Sequence, residues 1–239
     1  MTRYHLTVAP TADDLARQAA EQVASGIDLA LAERDRAQIA LAGGSTPMAT
    51  YRRLGAEHLP WERVDVLLGD ERWVPADDPA SNARMIAATL LDQPPARRAR
   101  FHPVPTDRED PEAGAAAYAE LIAQLCPGDP PRFDVVLLGL GEDGHTASLF
   151  PHSPALGVSD RSVTVGEGKG LARLTLTAPV LSAARRVIFL VSGEGKREAL
   201  RRLMDPQEPA ERTPARLVRP VGEVVILADA DAAGTTVGA

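Results

Sequence analysis

The sequence predicts an α/β fold built on a mostly parallel sheet with helices on both faces. Three observations carry that expectation. Short runs rich in Val, Ile and Leu recur along the chain and break off at Gly or Asp. Amphipathic helical stretches alternate with them, and strand–helix alternation implies βαβ units. At 239 residues the chain can bury a sizeable core, and no shift in composition marks a second domain. One domain over residues 1–239 is expected. Two irregular stretches, residues 92–111 and 157–173, read as loops or a small subsidiary layer near the mouth of a site.

The elements follow in order. Residues 4–8 alternate as a strand does. Residues 11–34 read as a helix, with Leu15, Ala19, Val23 and Ile27 on one face and Asp13 and Asp14 suiting its first turn. Residues 38–41 form a short apolar strand ending at Gly43-Gly44. Ser45-Thr46-Pro47 then opens a helix through Leu54, a hydroxyl cap followed by a first-turn proline. Residues 64–68 form the next strand and end at Gly69-Asp70. Helices are expected over 79–91 and 112–125. The strand at 135–138 breaks into Gly139, Gly141 and Gly144, with Asp143 and His145 among them. Residues 174–177 alternate, 187–191 form a strand, 195–204 a helix and 224–227 a last strand.

Composition removes several function classes. The net charge of −7 argues against non-specific nucleic-acid binding, yet a local basic pocket can still hold a small anion. No apolar run approaches a membrane span, and the first residues lack the pattern of a secretory signal. Cys126 is the only cysteine, so there is no internal disulfide or cysteine-based metal site, which fits a cytoplasmic location. Neither a metal nor a cofactor is expected, and the chain is expected to be a monomer or a weak homo-oligomer. Among 26 basic residues only Lys169 and Lys196 are lysines. In a chain that otherwise uses Arg, a retained Lys suggests a compact point charge that Arg cannot replace.

Four segments carry candidate chemistry. In LAGGSTP, Gly43 and Gly44 free the backbone, and Ser45 and Thr46 lie at a helix start, where unpaired N–H groups and the helix dipole attract anions. Alone, it also reads as an ordinary capped turn. In GDERWVPADDPASN, Asp70, Glu71 and Arg72 lie at a strand end and Asn82 follows; Arg72 suits a carboxylate, a phosphate or a developing oxyanion. A solvated charge cluster is the plainer reading. In LGLGEDGHTASLFP, His145 is suited to act as a general base, and Asp143 can orient it, although a two-residue spacing does not guarantee direct contact. In SGEGK, the Gly-flanked Lys196 can reach an anion above the sheet edge, and Arg173 is a further candidate anion clamp. Lys169 sits in the irregular Gly-rich segment and is expected to tolerate replacement. No zinc-binding histidine motif, G-x-S-x-G elbow or dinucleotide fingerprint is present. The residues alone lead to an α/β enzyme for a small phosphorylated molecule, with His145 as proton carrier.

LAGGSTP, GDERWVP followed by SN, LGLGEDGHTASLFP, RLTLT and SGEGK together resemble the 6-phosphogluconolactonase family, in that family's order and spacing, from about Ile39 to Leu227. The resemblance implies a sugar-phosphate isomerase/deaminase-like fold. It also implies hydrolysis of 6-phospho-D-glucono-1,5-lactone in the oxidative pentose phosphate pathway, so the expected partner is a phosphorylated sugar lactone. His145, Asp143 and Arg72 then serve catalysis, with the oxyanion met by Arg72 or by N–H groups near Gly141. Gly43, Gly44, Ser45, Thr46, Asp70, Asn82, Gly141, Arg173 and Lys196 serve binding, the phosphate lying among Ser45, Thr46, Arg173 and Lys196. Glucosamine-6-phosphate deaminase is the nearest alternative. Its pattern is similar, but it carries a Glu five residues after the His, where this chain has Phe150, and D-E-Y where this chain has Asp70-Glu71-Arg72. A non-catalytic sugar-phosphate sensor is a second alternative; such regulators resemble this domain preceded by a DNA-binding segment, whereas this sequence opens on the first strand.

Overall fold

Strand and helix alternate through most of the computed structural model, which describes residues 3–235. In chain order, β1 (Arg3–Ala9), α1 (Ala12–Glu33), β2 (Ala37–Leu41), α2 (Met48–Ala56), β3 (Val64–Leu68), β4 (Asp70–Arg72), α3 (Asn82–Ile86), β5 (Arg100–Phe101), α4 (Pro111–Leu125) and β6 (Val135–Gly139) fill the first part. β7 (Val163–Gly168), β8 (Leu171–Leu176), α5 (Ala178–Ala183), β9 (Arg186–Val191), α6 (Arg197–Met204), β10 (Glu223–Asp229) and α7 (Ala230–Ala233) follow. Seven strands form a parallel sheet in the order β1-β10-β9-β6-β2-β3-β5. Every residue of β2 and β3 is buried, as expected of central strands covered on both faces.

The order of the strands decides where a ligand can sit. From β2 the chain moves outward through β3 to β5, then returns to the other side of β2 and moves outward again through β6, β9 and β10. The direction of winding therefore reverses between β2 and β6. Crossovers on either side of such a point leave a crevice outside the carboxyl ends of the strands. Two buried tyrosines fix those ends. The Tyr51 hydroxyl donates to the Ala42 carbonyl at 2.7 Å, just past β2. The Tyr118 hydroxyl accepts from the Leu68 N–H at 2.8 Å and donates to the Leu68 carbonyl at 3.0 Å, at the end of β3.

α1 forms as the sequence predicts. Thr11 caps it by accepting from the Asp14 N–H at 3.1 Å, and Leu15, Ala19, Val23 and Ile27 are buried. Several expected boundaries move. Ser45 and Thr46 do not cap α2: Pro47 holds the N-cap position, no side chain caps it, and the helix starts at Met48. The helix expected over 79–91 begins only at Asn82, because Asp78 accepts from the Ala80 N–H at 2.7 Å and holds a turn ahead of it. Ser81 is its cap, and Ala87–Leu91 continues as a π-helical turn. The helix expected from Gly195 begins at Arg197, after a 3-10 turn at Glu194–Lys196.

The largest difference concerns the irregular segments. Residues 163–176 form a regular hairpin, β7–β8, joined by β4 into an antiparallel sheet in the order β4-β8-β7. Glycines at 166, 168 and 170 hide the alternation of β7 and the turn in the sequence, while Val163, Leu174 and Leu176 bury the inner face of the hairpin. Asp70-Glu71-Arg72 is thus a strand, not a loop, paired with Thr175, Leu174 and Arg173. This sheet is the subsidiary layer. Segment 92–111 contributes β5 to the edge of the parallel sheet and lines none of the cleft described next. Among the described residues no helix is long and apolar enough to cross a membrane.

Candidate active site

A cleft of about 290 Å³ opens beyond the carboxyl ends of β9, β6, β2 and β3, beneath the antiparallel sheet. All the expected site residues line it except Asp143, which lies behind His145. Arg72, Lys169, Arg173 and Lys196 meet there, with Asp70 as the only acidic lining residue among the described residues. A chain of net charge −7 thus keeps a basic pocket.

The turn after β6 closes on itself. The Gly141 N–H donates to the His145 carbonyl at 2.8 Å, and the Gly144 N–H donates to the Gly141 carbonyl at 2.9 Å. A Cβ on Gly141 would lie 2.0 Å from His145 Nδ1, so only glycine admits the imidazole. The Gly141 N–H is consequently taken and is not itself free to meet an oxyanion. Asp143 Oδ1 accepts from the His145 N–H at 3.1 Å and lies 2.5 Å from His145 Nδ1. Direct contact does occur at the two-residue spacing. Partial burial pushes the Asp143 carboxyl up, but the bonds from His145 outweigh it and lower the pKa to about 2. An ionised Asp143 fixes the proton on Nδ1 and leaves Nε2 as the basic nitrogen. The far face of the turn is held by groups that the sequence did not signal: Ala215 N–H donates to the Gly144 carbonyl at 3.0 Å and Arg202 donates to the Glu142 carbonyl at 2.9 Å.

Phe150 forms the floor beside this turn. Its ring centroid lies 4.4 Å from that of His145, and the Arg173 guanidinium carbon lies 5.4 Å from the same ring. Arg173 is 6% exposed; it donates to the Gly168 carbonyl at 3.0 Å and stands 3.9 Å from Asp70 Oδ2. Burial lowers its pKa and the Asp70 carboxylate opposes that shift. Asp70 is also buried, accepting from the Ser148 hydroxyl at 2.6 Å. Ser148 is thus a partner of Asp70.

Glu71 has a structural place that the sequence did not reveal. It is 2% exposed and accepts from the N–H groups of Arg72, Asn82 and Ala83, each at 2.8 Å. It thereby ties β4 to the start of α3 and aims both Arg72 and Asn82. The Asn82 side chain donates to the Asp70 carbonyl at 2.9 Å and occupies the space beside Gly43, where a Cβ would come within 1.9 Å. Arg72 donates through its NH1 group to the Ala80 carbonyl, while its buried Nε has no partner among the described residues.

The two remaining loops bring hydroxyls and a lysine. Ser45 and Thr46 line the cleft at the N-terminal end of α2. On the β9 side, Asp229 at the end of β10 accepts from the Ser192 hydroxyl at 2.5 Å and from the Gly193 N–H at 3.1 Å, fixing the loop that carries half-buried Lys196. Lys169, expected to be a bystander, reaches the same cleft from the tip of the β7–β8 hairpin. Among the described residues no three His, Cys, Asp or Glu side chains gather as a metal site would require.

The sequence profile described as glucosamine-6-phosphate isomerases/6-phosphogluconolactonase matches residues 10–227. The chain belongs to that family. Within it, a 6-phosphogluconolactonase of Synechocystis sp. is 47% identical over 213 residues, covering 88% of this chain and 89% of its own. The solved structure of 6-phosphogluconolactonase from Trypanosoma brucei matches with a TM-score of 0.86 at 32% identity, covering 98% of this chain and 99% of that one. A monomeric glucosamine-6-phosphate deaminase matches with a TM-score of 0.82 at 24% identity, over 99% of this chain and 100% of that one. Both branches of the family thus share this fold, and the fold alone does not separate them.

Proposed function

We propose that this chain hydrolyses 6-phospho-D-glucono-1,5-lactone to 6-phospho-D-gluconate, as a metal-independent cytoplasmic enzyme of the oxidative pentose phosphate pathway. The observation that carries this reading is the His145–Asp143 pair at the edge of a basic cleft, with Phe150 packed on the imidazole. A phenyl ring cannot move a proton, so the cleft holds one acid–base centre there. Lactone hydrolysis needs one base and a place for negative charge; opening an amino-sugar ring needs a further proton donor.

In the reaction, His145 Nε2 takes a proton from water as the water oxygen bonds to C1 of the lactone. The ionised Asp143 stabilises the imidazolium that forms. The C1 carbonyl oxygen becomes an oxyanion and is met by the guanidinium of Arg72, which lines the cleft. The tetrahedral species collapses, the bond from C1 to the ring oxygen breaks, and His145 returns its proton to that oxygen. Asp70 keeps Arg173 charged and positioned against Phe150. Gly43, Gly44 and Asn82 shape the wall beside the sugar. The phosphate lies among Ser45, Thr46 and Lys196, within the field of Arg173, and its binding places C1 without joining the bond changes.

Two assays test this reading. Purified protein added to freshly generated phosphogluconolactone is expected to release protons well above the spontaneous rate. Glucosamine 6-phosphate is expected to release no ammonia. Ammonia at catalytic protein concentrations, without lactone hydrolysis, would reverse the assignment.

A further inference from the structure

The two lysines of this chain, Lys169 and Lys196, lie far apart in sequence yet line one cleft. Lys196 arrives from the parallel sheet, on the loop after β9. Lys169 arrives from the antiparallel sheet, at the tip of the β7–β8 hairpin. Gly168 pairs with Leu171, so Lys169 and Gly170 form a two-residue turn, with φ of 57° and 75°. A left-handed pair of this kind favours Asn-Gly, and a lysine in it carries a conformational cost of about 1 kcal/mol. Nothing in the packing of the hairpin repays that cost, because Lys169 is exposed and makes no ion pair or hydrogen bond among the described residues. Strain kept at the rim of a cleft points to a role in the cleft.

The surroundings say what the role is. Gly168 rests on the ring of Phe150, where a Cβ would lie 2.1 Å away, so the turn is seated on the floor of the site. The two arginines of the cleft are already engaged, Arg173 with Asp70, Gly168 and Phe150, and Arg72 with the Ala80 carbonyl. The two ammonium groups are not engaged with any described residue. A phosphate monoester carries a charge of about −1.5 to −2 at neutral pH, so a single lysine leaves it short of compensation.

We propose that Lys169 is a substrate-binding residue: with Lys196 opposite, it supplies the second free ammonium for the substrate's phosphate, and its left-handed backbone aims it there. This rests on the function proposed above for its choice of ligand. The role was not legible in the sequence, where the segment reads as an irregular loop.

The test uses Lys169→Ala and Lys169→Asn in the full chain. Binding of 6-phosphogluconate and of gluconate is measured by calorimetry, alongside thermal unfolding and kinetics on phosphorylated and unphosphorylated gluconolactone. The expected result is about tenfold weaker binding of 6-phosphogluconate, a matching rise in KM with kcat nearly kept, and no change with the unphosphorylated compounds. Lys169→Asn, which suits the turn, is expected to raise the unfolding temperature while still losing phosphate affinity. A merely structural lysine would not separate stability from affinity in this way. Unchanged 6-phosphogluconate affinity in both variants, or equal losses on both lactones, overturns the proposal. Weaker 6-phosphogluconate binding by the variants of a chain that hydrolyses no lactone would sink the proposed reaction and leave Lys169 as a phosphate-binding residue. Failure of the wild type to bind 6-phosphogluconate at all would overturn both.

Discussion

The two walls of the cleft hold their charges in opposite ways. On the parallel-sheet wall, Asp143 and His145 sit on a glycine turn, with 48% and 19% of their side chains exposed, and one imidazole nitrogen is left for the substrate. On the antiparallel wall, Asp70, Glu71 and Arg173 are almost wholly buried, and their polar atoms are spent on Ser148, on the start of α3 and on Gly168. The first wall has a proton to move and room to move it. The second is a fixed scaffold whose value is shape and field. The difference teaches that charge density alone does not mark the reacting group; an acid–base pair with one open end does.

The comparison breaks most readily at His145. His145→Ala is expected to lower kcat by roughly 10²–10⁴-fold with folding intact, measured by lactone turnover and circular dichroism. Lys196→Ala should act on binding instead, lowering kcat/KM for the phosphorylated lactone by about 10- to 100-fold and leaving unphosphorylated gluconolactone nearly unaffected. Equal losses on both substrates would move Lys196 away from the phosphate.

How much of this was legible in the sequence follows the same division. Glycine punctuation after apolar runs marks the parallel strands and their carboxyl-edge loops, so the Gly43–Thr46, Asp143–His145 and Lys196 segments could be read directly. The antiparallel wall could be read only in part. Its strand β4 is three charged residues and its strand β7 is interrupted by glycines, so only the end of β8 from Leu174 shows the alternation that signals a strand. Their pairing comes from contacts between residues about 100 positions apart, such as Arg72 with Arg173. Glu71 looked like surface charge because nothing local announces that three distant or neighbouring N–H groups converge on it. The helices expected to open at Ser45-Thr46-Pro47 and at Gly195 start later, at Met48 and Arg197, because a turn precedes each of them.

The scaffold wall should answer in stability. Glu71→Ala leaves the N–H groups of Arg72, Asn82 and Ala83 without their acceptor in a buried place. A loss on the order of 3 kcal/mol is expected in denaturant unfolding, with activity falling because Arg72 and Asn82 lose their aim. A variant as stable as the wild type would show that water or another group replaces the carboxylate.

The smallest effect concerns acid. Asp143 is depressed to about 2 in the folded chain, below the ordinary Asp value of about 3.9. Its contribution to stability is therefore present above that ordinary value and lost as pH falls through about 2. The stability gap between wild type and Asp143→Asn is expected to shrink over that window. A gap independent of pH would mean that the carboxylate is not held by His145.

The central claim is that His145 moves the proton while other residues of the cleft hold the ligand, and one measurement addresses it directly. Proton release from saturating, freshly generated phosphogluconolactone is followed in His145→Ala, with 6-phosphogluconate affinity measured on the same sample. The account predicts turnover reduced by at least about a hundredfold while 6-phosphogluconate binds as tightly as to the wild type. Near-normal turnover in a variant that still binds the product would contradict it.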